Sequence, residues 1–286
     1  MHALSAAYRL CILILVLAAV ETSAGTASAL QSDWVDGYNT RSRLEAAKVE
    51  TGGTPRLMAF VEIELDQGWK TYWRTPGDAG GLPPAFDWSK SENLASANVL
   101  YPAPARTVDK AGNTLGYHDR VLFPVELKAK DAAKPIGLDV TVHYGICKDI
   151  CVPVDTALSL EVPPATAEAP SEDAAAALER VPRAQDALRS DDPVLTKATA
   201  ELDGPKPRLV LEATFPGGGA GADIFLEAPD AAFIPLPAKT ADLGGGKLVF
   251  EADLSKDVDL AELRGKPITV TLVSAKGASV ATVPLQ

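Results

Sequence analysis

Cys147 and Cys151 bracket Lys148-Asp149-Ile150 in the segment His143-Tyr144-Gly145-Ile146-Cys147-Lys148-Asp149-Ile150-Cys151-Val152-Pro153. The chain has three cysteines, and the third, Cys11, falls in an apolar stretch near the N-terminus. A close pair of thiols has three uses. Closed as a disulfide it is a staple; as two thiolates it holds a soft metal; opening and closing, it carries electrons.

The staple is weak here. A bridge closing a loop of about five residues contributes roughly 2 kcal/mol in the chain-entropy account, against more than about 4 for a loop of a hundred. A chain of 286 residues builds enough core to do without it. As metal ligands, the two thiolates plus His143 or His118 make three, and structural zinc takes four. Copper(I) accepts few, soft ligands and stays open as an alternative. Exchange fits the pattern best, since it needs one thiol to meet a partner and a second close by to resolve the mixed disulfide. Lys148 and His143 would favour a thiolate and Asp149 would oppose one, so local charge does not choose between the sulfurs.

The thiols need strands to hold them. Leu138, Val140, Val142 and Tyr144 alternate with Asp139, Thr141 and His143 just before the pair. Leu158, Leu160 and Val162 alternate after it. The same period of two marks Ala59, Val61, Ile63 and Leu65, and again Val121, Phe123, Val125 and Leu127. This predicts a β-sandwich with one buried face per strand. Pro124 predicts an edge or a bulge for its strand. Trp69, Tyr72 and Trp73 read as core aromatics, and Arg74 and Asp78 as hydrogen-bonding partners that fix the Thr75-Pro76-Gly77 turn.

Pro163 to Pro170 is a Pro/Ala/Glu-rich break. Beyond it, Ala174–Leu178 and Ala184–Leu188 predict helix, capped by Ser171 and split at Pro182. A second β pattern follows at Leu209–Leu211, Ile224–Leu226, Leu248–Phe250 and Ile268–Val273, with Gly217–Gly219 and Gly244–Gly246 as turns. This half has no cysteine or histidine, so it is expected to support or dock. The domain reading is a leader over 1–29, a redox domain over 30–163, a linker with a helical segment over 164–192, and a second, smaller β-sandwich over 193–286.

The leader rests on Arg9, the apolar run Leu10–Val20 and the small-residue site Ala27-Ser28-Ala29, the pattern of a cleaved secretory signal. It predicts an exported, periplasmic protein. A net charge of −11, with Lys and Arg spread singly, argues against nucleic acid or an anionic membrane surface as a partner.

Several motifs in order resemble one family. They are Gly68-Trp69-Lys70-Thr71-Tyr72-Trp73-Arg74-Thr75-Pro76-Gly77-Asp78-Ala79-Gly80, then Phe86-Asp87-Trp88, Tyr101-Pro102-Ala103-Pro104, Thr114-Leu115-Gly116-Tyr117, Leu122-Phe123-Pro124-Val125 and the cysteine motif. Together, over about Trp34 to Pro163, they resemble the N-terminal periplasmic domain of DsbD, especially its ScsB-like branch. The Cys-x-x-x-Cys spacing before a proline also occurs in the Sco copper chaperones, but there it leads into a helix, whereas here it follows a strand.

The DsbD resemblance implies an all-β, immunoglobulin-like domain that passes electrons by thiol–disulfide exchange, with Cys147 and Cys151 as the catalytic pair and no cofactor. Its implied partners are a membrane thiol carrier of DsbD or CcdA type and a thioredoxin-like periplasmic protein. It implies that the second cysteine, Cys151, joins the partner. It also implies a shielding segment, matching Ala111 to Tyr117, in which Leu115 or Tyr117 stands where the family has an aromatic cap. With Leu115 and Tyr117, the residues His143, Trp69 and Tyr72 are the expected lining of the site. The alternatives are a copper(I)-binding periplasmic protein and a non-catalytic adaptor with a structural disulfide.

Overall fold

The computed structural model describes residues 29–51, 53–110, 112–164 and 168–285. The expected leader, except Ala29, lies outside the described residues, as do Ala111 of the expected shielding segment and residues 165–167 of the break.

Among the described residues the first domain comprises β1 (Leu30–Gln31), β2 (Val35–Gly37), β3 (Thr40–Thr51), β4 (Thr54–Leu65), β5 (Lys70–Tyr72), β6 (Ala85–Asp87), β7 (Leu94–Val99), β8 (Ala105–Asp109), β9 (Gly112–His118), β10 (Arg120–Ala129), β11 (Ile136–Cys147) and β12 (Cys151–Val162). Two sheets face each other. One runs β1-β3-β4-β10-β7 with β2 beside β3; the other runs β12-β11-β5-β9-β8 with β6 beside β11. The alternating sets of the sequence meet between them. Val61, Ile63, Val121, Phe123, Val140, Val142 and Tyr144 share one buried cluster. This is a β-sandwich, as the period of two predicts, and an immunoglobulin-like one, as the resemblance implies.

Two expectations are corrected. The strand around Pro124 is not an edge: β10 pairs with both β4 and β7. Pro124 is tolerated because its carbonyl takes the Leu100 amide at 2.7 Å, just past the end of β7, so the missing N–H costs only the last bond of that ladder. Nor does β4 bury one face only. Its other face carries Met58 and Phe60, which pack with Ala47 and Leu122 against Ala174 and Ala177 of helix α1 (Glu172–Glu179).

That second face also buries two carboxylates. Glu62 is fully buried and binds Arg43 at 2.7 Å and Arg120. Glu45, equally buried, accepts from the Ser171 amide at 2.8 Å and the Ser171 hydroxyl at 2.7 Å. Burial of such charges is sustainable only with partners like these. Ser171 caps α1 as expected, its side chain accepting from Ala174 N. The second expected helix does not form. Arg183–Ala184 is instead a short strand, β13, parallel to the last strand of the chain. Pro182 cuts the segment, and the few residues beyond it are too short to nucleate a helix.

The second domain continues with β14 (Val194–Glu201), β15 (Arg208–Thr214), β16 (Asp223–Glu227), β17 (Ala238–Asp242), β18 (Lys247–Asp253), the short α2 (Leu260–Leu263), β19 (Pro267–Val273) and β20 (Ala278–Pro284). Its sheets run β13-β20-β19-β16 and β14-β15-β18-β17 around Leu211, Phe215, Phe250 and Val270. Phe225 leaves this core and packs into the first domain's cluster, its ring 5.9 Å from Trp73, and Leu236 and Val273 pack against the same cluster. The two domains are therefore docked in part through side chains of β16, with Leu236, Pro237 and Val273 also meeting the first domain.

Ser171→Ala should remove the α1 cap and one of the groups that satisfy Glu45. We expect a loss of about 1–2 kcal/mol in urea unfolding, with the disulfide intact. An unchanged midpoint would show that α1 adds nothing to the first sheet.

Candidate functional site

The long hairpin of β11 and β12 keeps register from Ile136↔Val162 to Cys147↔Cys151. The two cysteines are thus directly opposite at its closed end, and they form a disulfide with Cα atoms 4.1 Å apart. Lys148-Asp149-Ile150 makes the tip, with the Lys148 amide bonded to the Ile150 carbonyl at 3.1 Å. Cys147 is half-buried and Cys151 exposed, so the two sulfurs are not equivalent. Ile150, 59% exposed, stands beside the outer one.

On its free side the end of β11 is held by β5, with Ile146 opposite Thr71 and Cys147 opposite Lys70. The Thr71 hydroxyl bonds the Gly145 carbonyl at 2.8 Å. Tyr72 is buried and leans across Gly145, where a Cβ would come within 3.1 Å of its ring. Its hydroxyl reaches 3.4 Å from Cys151 Sγ. Above it lies Gly81, with φ of +151°; a Cβ there would be 2.3 Å from the Tyr72 ring. Next to it, the Leu82 carbonyl takes the Gly145 amide at 2.9 Å. Only glycine lets the segment after Asp78 lie this close to the ring.

The expected lining residues divide. Tyr72 is at the disulfide. Trp69 is buried in the core, edge-on to Tyr38. Leu115 is fully buried, and Tyr117 is buried against Phe123 with its hydroxyl donating to Pro102 O at 2.7 Å. Burial pushes the Tyr117 phenol well above its ordinary range, with the Arg74 charge opposing. Both are interior side chains, so neither caps the disulfide. They alternate inward along β9, and Gly116 between them touches the Thr71 carbonyl so closely that a Cβ would clash. His143 is four residues from Cys147 along β11, about 13 Å at the strand rise, and bonds Asp155 at 2.7 Å. His118 bonds Thr107 at 2.7 Å. Lys148 folds back to the Gln67 carbonyl at 3.1 Å.

The residues that sequence reasoning missed are Gly81, Leu82 and Lys70. Lys70 is buried opposite Cys147, and its ammonium bonds the Thr114 hydroxyl at 3.0 Å. Its place in the Trp69–Trp73 run was the available signal, since alternation puts Lys70 and Tyr72 on one face. The expected roles of Arg74 and Asp78 are also revised. Asp78 accepts from Asn113 Nδ2 at 2.8 Å, tying the turn to β9. Arg74 instead crosses to the second domain, making a two-pronged bond to Glu227 at 2.8 and 2.7 Å.

An exposed disulfide closing an immunoglobulin-like hairpin defines a class of β-domain with the geometry for thiol–disulfide exchange. Residues 44–163 match the model of the family described as Thiol:disulfide interchange protein DsbD, N-terminal, and the first domain belongs to that family. Residues 180–286 match a domain family of unknown function, DUF8393. The N-terminal periplasmic domain of ScsB from Proteus mirabilis has a similar fold: a TM-score of 0.67 at 21% identity, covering 90% of this chain and 99% of that one. No curated protein is significantly similar in sequence. Among the described residues no helix is long and apolar enough to cross a membrane.

Tyr72→Phe should keep the ring's packing, so stability should change by less than about 1 kcal/mol. The hydroxyl is placed to donate to a Cys151 thiolate, and such a bond favours the charged form. We expect its loss to move the pH profile of Cys151 alkylation in the reduced protein to higher pH. An unmoved profile would remove Tyr72 from the site.

Proposed function

We propose that this protein is an exported thiol–disulfide exchange protein. Its redox domain spans 30–163 and is joined through 164–192 to a second domain over 193–286. The leader pattern over residues 1–29 supports delivery to the periplasm and removal on export. The observation that carries the reading is the Cys147–Cys151 bond at the open end of a DsbD-type sandwich, with one sulfur exposed and the other half-buried.

The asymmetry supports Cys151 as the sulfur that meets the partner. A donor thiolate attacks Cys151 Sγ, the Cys147–Cys151 bond breaks, and Cys147 leaves as a thiolate. The donor's second thiol then attacks the donor sulfur of the mixed disulfide and Cys151 leaves. Two electrons and two protons have then moved from the donor dithiol to this domain. Delivery to an oxidised acceptor is the reverse sequence, with Cys151 attacking and Cys147 resolving. A membrane thiol carrier of DsbD or CcdA type fits the donor, and a thioredoxin-like periplasmic protein fits the other partner, because both present the paired thiols that the sequence of steps requires. Tyr72 sits where it can steady the Cys151 thiolate once the donor's disulfide has closed and before delivery to the acceptor.

Cys147→Ala should accumulate a covalent adduct with a thioredoxin-like partner, visible on non-reducing gels and collapsed by reductant, while Cys151→Ala should not. An adduct with Cys151→Ala alone would reverse the assignment. No adduct with either would contradict exchange.

A further inference from the structure

The second domain has no thiol and no imidazole, yet it binds the first domain at the roots of the two segments that lie beside the disulfide's sheet face. We propose that Glu227 and Asp223 are positioning residues: by holding Arg74 and Arg106 they fix these segments, and so set how readily the Cys147–Cys151 bond opens. The proposal rests on the exchange reading for its meaning in the cell.

Arg74 begins the segment that runs through Gly81 and Leu82. Glu227 takes both prongs of its guanidinium and also the Thr75 hydroxyl at 2.9 Å. Arg106 is in β8, the outer strand of the β8–β9 hairpin. Asp223 takes it in the same two-pronged way, at 2.9 and 2.7 Å, and the carbonyls of Ile224 and Pro237 accept from it too. Both acids stand on β16 and flank Phe225, whose ring reaches Trp73. One strand of the second domain thus holds both segments.

The segments are also bonded to each other. The Leu115 amide donates to the Pro76 carbonyl at 2.8 Å, the Ala79 amide donates to the Asn113 carbonyl at 3.1 Å, and Asp78 accepts from Asn113. At the far end, Gly81 lies on Tyr72, the Leu82 carbonyl holds Gly145, and the Tyr72 hydroxyl reaches Cys151. A contiguous run of contacts therefore leads from Glu227 to the sulfur. Its first link is strong for its kind, since two-pronged, partly buried ion pairs exceed exposed single ones.

The attachment also carries costs. A cleft of about 250 Å³ opens beside it, lined by Arg74, Pro76, Asp78, Glu227 and Phe233. Among the described residues the buried Trp73 indole N–H has no acceptor. Burial raises the Asp223 carboxyl above its ordinary range even with Arg106 opposing, so this charge is held at a cost.

The test uses the full chain carrying Glu227→Gln and Asp223→Asn together. The rate constant for reduction of the disulfide by dithiothreitol should rise about fivefold, and hydrogen exchange at the Ala79, Leu115 and Gly145 amides should quicken with it. The unfolding midpoint should separate this from general damage; if the double variant does not fold, Glu227→Gln alone is measured in the same two ways. A folded variant with the wild-type rate and protection overturns the proposal. Should the variants open faster while the wild-type protein exchanges with no thioredoxin-like partner, the positioning holds and the exchange reading fails. Should the wild-type protein exchange while the variants open no faster, only the positioning fails.

Discussion

Between Ile136 and Cys147, β11 pairs with β12 along its whole length on one side, and with β6 and then β5 on the other. This shared register decides every distance at the disulfide. Sliding β12 by one residue would take Cys151 out of line with Cys147 and turn Val154, Leu158 and Val162 away from the core. The inward residues Val140, Val142, Tyr144 and Ile146 forbid the same slip in β11. Tyr144 adds a polar lock, its hydroxyl 3.0 Å from the Thr40 hydroxyl across the sandwich. The sulfurs meet because the core leaves the hairpin no other pairing.

Stability and chemistry are thereby separated. Each fully buried Val, Leu, Ile or Phe contributes about 1.5–3 kcal/mol, and the first domain's core holds many of them. The disulfide, closing a loop of about five residues, contributes roughly 2 kcal/mol. It can therefore open without threatening the sandwich, which a redox bond requires and a staple does not. The hairpin end leaves Cys151 exposed, while β5 and the Gly81–Leu82 segment keep Tyr72 in place beside the outer sulfur.

Much of this was legible in the residues. The long strands β4, β10, β11 and β12 announce themselves by alternation, and Ser171 before an alanine-rich run announces α1. The short strand β5 does not, because three residues carry no period; only the aromatic run hinted at it. The burial of Glu62 is not legible locally, because nothing near it in sequence shows that α1 returns to cover that face and that Arg43 and Arg120 follow it inward. Pro124 misled because its cost depends on where β7 ends. The shielding role expected of Leu115 and Tyr117 failed for a simple reason: both point into the core. Arg74 and Glu227 are 153 positions apart, a pairing set by domain docking that no local pattern encodes.

The central claim is that the Cys147–Cys151 bond is a working redox couple. Its equilibrium reduction potential against a glutathione buffer tests this most directly. The account predicts a readily reducible bond, with a potential above about −300 mV. A value below about −300 mV would place it among structural disulfides and contradict the account.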